Sequence, residues 1–512
     1  MPDASEKPCE PSPQSPSLVN SVERSLAIVD LTFEVNDTRQ SSRVSRRPVG
    51  APTASSLIGL VGETQGVGLA AAGVQWIKSS GPASPPRWNG TGMWGNVLTL
   101  GAEGEDVAQP ADLMVILIAP NVSEQMGGEA IKSYQIYREL AQRGLSVLQI
   151  THARCRDELS TTTPSMKVEY VENGPFQRFL WAVPPCRLFV PVVFEFLAAK
   201  IAKRIVKQHP GAVIHHTGPV SPVLPVFTVR TPTVIGPLNG NITYPPGFQE
   251  REPSHDRLRR VALRWLQTTH RWFFPGKRRA EVLLVAGGQR TYDSLLIAGC
   301  RTEQFVDSID SGIPDRLRDR PRNLHHGENF RFVHNGSLVP HKGTDLIIKA
   351  VAACDAPLTL DIIGKGFNKP ALETLVGELG VGDRVRFLDW VADHRKLADV
   401  LAPYRAFVFP SLAEANGIVV QEAMAMGLPV ICLNWGGPGL LVDPTCGVLI
   451  EPKNETYVVD QLAEAMERLA RDGILADAMA ESGHELAFQK GFYWAQIIDG
   501  WIEIYHDVRD RH

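Results

Sequence analysis

The chain has 512 residues, 44% hydrophobic and 21% charged, with a formal net charge of -4 at pH 7. That length holds two or three domains with sizeable cores, and the composition is that of a soluble globular protein. The small negative balance offers no basic field to gather phosphates, which excludes a general nucleic-acid binder.

Residues 1–110 are rich in Ser, Pro and Gly without a sustained period, and read as a disordered extension. The first residues lack the basic-then-apolar order of a signal peptide. Leu57 to Ile77 carries Glu63, Gln65, Gln75 and five glycines, and Leu180 to Ala199 is broken by Arg187, Glu195 and three prolines. Neither stretch would insert in a bilayer. The seven cysteines (Cys9, Cys155, Cys186, Cys300, Cys354, Cys432 and Cys446) are scattered without a Cys-x-x-Cys. This excludes a zinc ribbon and is the pattern of a reduced, cytoplasmic protein.

Ordered structure is expected from Leu113-Met-Val-Ile-Leu-Ile118, a continuous apolar run of the kind buried in a parallel sheet. The pair Gly127-Gly128 separates it from a predicted helix over Glu129 to Arg143, which Gly144 ends. Without a full Gly-x-Gly-x-x-Gly the pair alone is a weak phosphate signal. A strand over Ser146 to Thr151, a helix over Phe194 to Gln208, and strands over Ala212 to His215 and Thr233 to Ile235 follow. Together they make a doubly wound α/β domain over 111–314. His215 and His216 stand at a strand's carboxyl end, where a histidine either bonds a ligand hydroxyl or is an ordinary polar residue at a loop mouth.

Between Arg257 and Trp272, helical periodicity gathers Leu258, Val261, Ala262, Trp265, Thr269 and Trp272 on one stripe. Arg257, Arg260, Arg264 and Arg271 gather opposite, and Phe273, Phe274, Lys277, Arg278 and Arg279 follow. Two readings stay open: a surface helix packed on its own domain, or a basic, aromatic helix over 257–279 lying on an anionic membrane surface.

A polar, basic stretch over 315–329 reads as a linker, and the alternation restarts over 330–485. Strands are expected at Phe330 to Asn335, Leu358 to Ile363, Val385 to Leu388, Ala406 to Phe409 and Val430 to Leu433. Helices are expected at Thr344 to Ala353 and Ala371 to Leu379. Two such halves bind a ligand in the cleft between them. A last helix within 486–512 carries Trp494, Ile497, Ile498, Trp501, Ile504 and Tyr505, aromatic and aliphatic groups that need a surface to cover, with the first domain as the candidate.

The sharpest local pattern is Phe409-Pro-Ser-Leu-Ala-Glu414-Ala-Asn-Gly417-Ile-Val-Val-Gln-Glu422-Ala-Met-Ala-Met-Gly427. A buried strand ends at Phe409, a loop delivers Glu414, and a helix opens near Gly417 and closes at Gly427. The amides of Asn416, Gly417 and Ile418 would then face an anion. Glu422 lies among Val419, Val420, Ala423, Met424 and Met426, where a carboxylate costs several kcal/mol, roughly, unless it is neutralised or hydrogen-bonded. A structural salt bridge and a ligand contact are both open to it. Lys342, in His341-Lys342-Gly343 between a strand and a helix, either faces the same cleft or is an exposed turn lysine.

These segments together resemble the retaining glycosyltransferases of family 4, over about Leu113 to Tyr505. Glu414 and Glu422 match that family's Glu-x7-Glu, Lys342 its phosphate-contacting lysine, Gly127-Gly128 its first-domain glycine loop and His216 its active-site histidine. Asn434-Trp-Gly-Gly-Pro438 and Gly447-Val-Leu-Ile-Glu-Pro452 match further along, and Gly236-Pro-Leu-Asn-Gly240 resembles a segment of bacterial polysaccharide-assembly members. Ser337 stands where the family usually has Arg, and Asp389 where it has Gly.

The resemblance implies a GT-B fold, two Rossmann-like domains facing a central cleft. It also implies retaining transfer of a hexose from a nucleoside-diphosphate sugar to a hydroxyl acceptor, a lipid-linked saccharide being one candidate. Lys342 and the amides of residues 416–418 would hold the diphosphate, Glu422 the ribose, Glu414 the donor sugar, with His216 near the acceptor. No Asp-x-Asp occurs in the chain, so neither metal nor cofactor is expected beyond the nucleotide sugar as co-substrate. The expected place is the cytoplasm, at the inner face of the membrane. A nucleotide-sugar epimerase and a catalytically inactive nucleotide-sugar-binding partner are the competing readings.

Overall fold

The computed structural model describes residues 113–240, 242–319, 324–391 and 394–512. The reading of 1–110 as disordered lies outside the described residues, as do the side chains of 254–260.

Two parallel sheets organise the described chain. The first has the strand order β3-β2-β1-β4-β5-β6-β7. Its strands are β1 (Met114–Ile118), β2 (Ser146–His152), β3 (Val168–Val171), β4 (Val213–His216), β5 (Thr233–Leu238), β6 (Val282–Val285) and β7 (Phe305–Asp307). The second has the order β10-β9-β8-β11-β12-β13. Here β8 is Arg331–Asn335, β9 Thr359–Ile363, β10 Val385–Leu388, β11 Ala406–Phe409, β12 Val430–Leu433 and β13 Gly447–Ile450. In both sheets the winding direction reverses beside the first strand, between β1 and β4 and between β8 and β11. Open α/β sheets bind ligands at that switch point, outside the carboxyl ends of the strands.

Parallel pairing requires long crossovers, and helices supply them. Among those of eight residues or more, α1 spans Gly128–Gln142, α2 Pro175–Ala182, α3 Val190–Gln208, α4 Ser254–Phe273 and α5 Gln289–Ile297. In the second half α6 spans Thr344–Ala353, α7 Lys369–Glu378, α8 Ile418–Ala425, α9 Glu455–Arg471, α10 Gly473–Gln489 and α11 Trp494–Asp510. Helices α3 and α7 begin earlier than their apolar periods suggest, because Pro191 and Pro370 sit in the first turn, where no amide donor is needed.

Strand β1 shows why these sequences make these layers. Both of its faces are covered, so all five residues can be apolar. Ile116 and Ile118 pack with Phe194, Ala198 and Ala202 of α3. Val115 and Leu117 pack with Tyr134 and Ile136 of α1 and with Trp494, Ile498 and Trp501 of α11. The final helix thus belongs to the core of the first sheet although the chain reaches it through the second. Its Tyr505 hydroxyl lies 2.6 Å from Nδ1 of His215, whose Nε2 donates to the Gly236 carbonyl at 2.9 Å. Burial pushes the His215 ring down to about 3, so it is neutral.

The halves are also joined by the segment after β5. The Trp435 indole donates to the Thr243 carbonyl at 2.7 Å. Phe248 is buried in the core of the second sheet, beside Leu346 and Ile347 of α6. Arg251 binds Asp345 at 2.9 Å and Glu455 at 2.6 Å.

Candidate active site

The loops after β8 and β11 flank the switch point of the second sheet. The turn 341–343 is stitched to the end of β11: the Leu412 amide donates to the His341 carbonyl at 2.8 Å, and the Ser411 hydroxyl donates to the same oxygen at 3.4 Å. Gly343 has φ +68°, and a Cβ there would lie 2.3 Å from the Pro410 carbonyl oxygen, so only glycine permits this approach. The consequence is local and chemical. Lys342 and Glu414 form an ion pair between Nζ and Oε2, each side chain 16% exposed. The Lys342 ammonium also lies 5.5 Å from the centre of the Phe409 ring.

Behind the pair, His334 anchors the strand to the turn. Its Nδ1 donates to the Val408 carbonyl at 2.9 Å, which leaves Nε2 to accept from the Thr344 hydroxyl at 3.2 Å. Burial pushes His334 and His341 down to about 4, reinforced for both by the Lys342 charge and opposed for His341 by Glu414. Both are neutral supports.

Helix α8 follows Gly417, so its first turn opens beside Glu414. Among the described residues, no hydrogen bond takes up the amides of Asn416, Gly417 or Ile418. Such donors at a helix start, with the positive end of its dipole, suit an anion. The Asn416 side chain donates to Gln421 Oε1 at 3.1 Å, bracing the loop on the helix. Glu422 sits mid-helix and is 2% exposed. Ser337 is exposed on the loop after β8.

The remaining residues singled out from the sequence lie in the first half. Gly127 and Gly128 start α1 beside the β1 end, and a Cβ on either would meet nothing within 4 Å. His216 is not brought to the Lys342–Glu414 pair. It shares the face of β4 with Ile214, beneath α3, where its ring is 1% exposed and Nδ1 lies 3.2 Å from Glu195 Oε2. Strand alternation decides this: His215 and His216 face opposite sides of the sheet.

Sequence reasoning missed Arg290. It stands in the first turn of α5, beyond β6, and crosses to the second half. Its guanidinium donates to the carbonyls of Ala415 at 2.5 Å and Glu414 at 3.5 Å, and to Asn239 Oδ1 at 2.7 Å. Burial pulls it down to about 10, against the pull of Asp310 and Glu414, so it keeps its charge at neutral pH.

Two parallel Rossmann-like domains with this switch-point geometry define the GT-B fold. Solved structures agree: the chain superposes on sucrose-phosphate synthase from Thermosynechococcus elongatus with a TM-score of 0.56 at 20% identity, covering 78% of this chain and all (100%) of the other. The Anabaena protein HepE, solved in complex with UDP, gives 0.53 at 20% identity, covering 77% and 99%. Within that fold, residues 315–486 match the model of the glycosyl transferases group 1 family. The lipopolysaccharide core biosynthesis glycosyltransferase LpsE of Rhizobium meliloti is 33% identical over 170 residues, 33% of this chain and 47% of LpsE. The uncharacterized glycosyltransferase MJ1178 of Methanocaldococcus jannaschii is 27% identical over 217 residues, 40% and 58% of the two chains. The chain spans about half the length of the curated relatives it matches.

Proposed function

We propose that the chain is a metal-independent glycosyltransferase of the family 4 kind, moving a hexose from a nucleoside-diphosphate sugar to a hydroxyl acceptor with retention of anomeric configuration. The observation that carries this reading is the ion pair of Lys342 and Glu414 beside the unpaired amides of Asn416, Gly417 and Ile418, all at a sheet switch point. In the reaction, the bond from the anomeric carbon to the diphosphate breaks and the acceptor oxygen bonds the same face. The acceptor proton passes to the departing diphosphate. Lys342 and the amides of residues 416–418 stabilise the charge that develops on that leaving group. Glu414 fixes donor-sugar hydroxyls, Glu422 holds the ribose, and the open loop of Gly127 and Gly128 leaves room for the donor from the opposite side. We assign His216 no substrate contact, because its ring is closed off against Glu195.

The acceptor we infer is a lipid-linked saccharide, in cell-surface polysaccharide or glycolipid assembly, a setting suggested by the printed name of LpsE. Labelled UDP-, GDP- and ADP-hexoses, incubated with the full chain and membrane extracts, test the reading. A labelled, extractable glycoside whose new bond keeps the donor's anomeric configuration supports it. An isomerised nucleotide sugar formed without acceptor would mean an epimerase, and donor binding without transfer or hydrolysis an inactive partner.

A surface of the first half supports attachment to the inner face of an anionic membrane. Helix α4 buries Gln267 and His270 and leaves Trp265, Trp272 and Phe273 73–76% exposed. From Val261 to Trp272 its apolar stripe is therefore turned away from its own domain. Phe176, Phe179 and Phe189, 58–61% exposed, stand on α2 and the turn before α3, and ring contacts Phe196–Phe227 and Phe227–Phe274 link α3 to the end of α4. Exposed Arg178, Lys200, Arg264, Arg271 and Arg279 supply the complementary charge, at roughly 1 kcal/mol each near an anionic surface. Among the described residues no helix is long and apolar enough to cross a membrane. The full chain should sediment with anionic liposomes at low salt, release as salt rises, and ignore neutral ones; equal indifference to both rejects the attachment.

A further inference from the structure

Arg290 reaches from the first half to the main chain that presents Glu414. The carbonyl of Ala415 and the amide of Asn416 belong to one planar trans peptide, so their directions are opposite and fixed together. A guanidinium that grips the Ala415 oxygen at 2.5 Å therefore aims the Asn416 N–H. The Glu414 oxygen, 3.5 Å from Nη1, is the same handle for the Ala415 amide. Asn239 Oδ1, at 2.7 Å, holds the guanidinium at its own end, and it follows β5 in the first half. On the other side the loop meets Gly436, where a Cβ would lie 2.6 Å from the Glu414 oxygen, and the Gly437 amide donates to that oxygen at 2.9 Å. The peptides of residues 414–416 are thus held between a turn of their own domain and one arginine of the opposite domain.

We propose that Arg290 is a positioning residue: it orients the amides of the 414–416 loop toward the diphosphate only when the two halves are closed on each other. Donor-site assembly is then coupled to closure, since separating the halves removes the guanidinium from the loop. Lysine can replace the charge of Arg290 but not its planar fork, which bonds two carbonyls and an amide oxygen at once. The inference rests on the glycosyltransferase reading for the identity of the anion, and on the contacts alone for the orientation of the loop.

The test compares the full chain with Arg290→Gln, Arg290→Lys and Asn239→Ala. UDP, GDP and ADP are titrated calorimetrically, the matching nucleoside serves as control, and amide exchange is followed in the peptide spanning 410–421. Loss of one charge-assisted contact should weaken the bound diphosphate roughly tenfold in both arginine variants, with smaller loss in Asn239→Ala. Nucleoside affinity should not move, and the peptide should exchange faster. Unchanged diphosphate affinity with unchanged exchange overturns the proposal, since the Gly436–Gly437 turn would then suffice. If an arginine variant does not fold, Asn239→Ala decides by the same two readouts. If the parent chain binds none of the three diphosphates, the glycosyltransferase reading fails. Exchange then judges the clamp by itself: faster exchange in the variants upholds it and equal exchange removes it.

Discussion

Removing either partner of the Lys342–Glu414 pair separates a binding role from a sugar-handling one. The ammonium is held by the carboxylate, and both side chains are 16% exposed. An arriving diphosphate must draw Lys342 away from Glu414 or share it. Lys342→Ala deletes a charge-assisted contact to phosphate, about 1.5–3 kcal/mol, or roughly ten- to hundredfold in affinity. Glu414→Gln acts in the opposite direction. It releases the ammonium from a competitor whose hold, in a partly solvated site, amounts to about 1 kcal/mol, so the diphosphate should bind up to roughly fivefold more tightly. Turnover should fall in both variants, in Glu414→Gln despite the tighter diphosphate, because its contacts are to the sugar. Calorimetry with the preferred nucleoside diphosphate reads the first quantity and donor consumption the second. Equal losses of affinity in the two variants, or none in Lys342→Ala, would refute the assignment and leave the pair a structural salt bridge.

Ser337→Arg should tighten diphosphate binding without lowering the unfolding midpoint, since Ser337 is exposed and a longer cation has room; calorimetry showing a loss would contradict this. Glu422→Gln should weaken nucleoside affinity while far-UV circular dichroism stays unchanged, and unaltered affinity removes Glu422 from the site. Acid should destabilise the fold through neutral histidines: His334 and His341 protonate near 6.5 when unfolded but only near 4 when folded. In that window the unfolded chain binds more protons, so stability is lost as pH falls from about 6.5 to about 4, by up to roughly 1.4 kcal/mol per pH unit for each histidine. Chemical denaturation across that range should show the slope, and His334→Asn should flatten it.

Strands β1 and β11 were legible because each is a continuous apolar run followed by small or polar residues, and β8 by its Phe332-Val333 centre ahead of Gly336. Strands β3, β6, β7 and β13 went unassigned; at three or four residues they show no period, and β4, β10, β11 and β12, equally short, were read only by their place in the alternation with helices. Lys342 and Glu414 could be placed from sequence since each lies just past a strand at a switch point. Arg290 and Asn239 could not, because their meaning depends on a contact between halves that leaves no local pattern. His216 was read at the end of its strand without a face; counting in twos from Ile214 puts it beneath α3. For α4 the periodicity separated an apolar from a basic side but could not say that the packed edge would be Gln267 and His270, which lie between them.

The chain crosses between its halves in a way that makes each the custodian of part of the other. Phe248, spliced into the first half by sequence, completes the core around α6, and α11, spliced onto the second, completes the core beneath β1. A gene cut between β7 and β8 would therefore yield two fragments that each lack an interior piece. Neither should be soluble by itself, whereas the two made together should reassemble. Moving the cut to either side of the lent segments, so that each travels with its host, is how separable halves would have to be engineered.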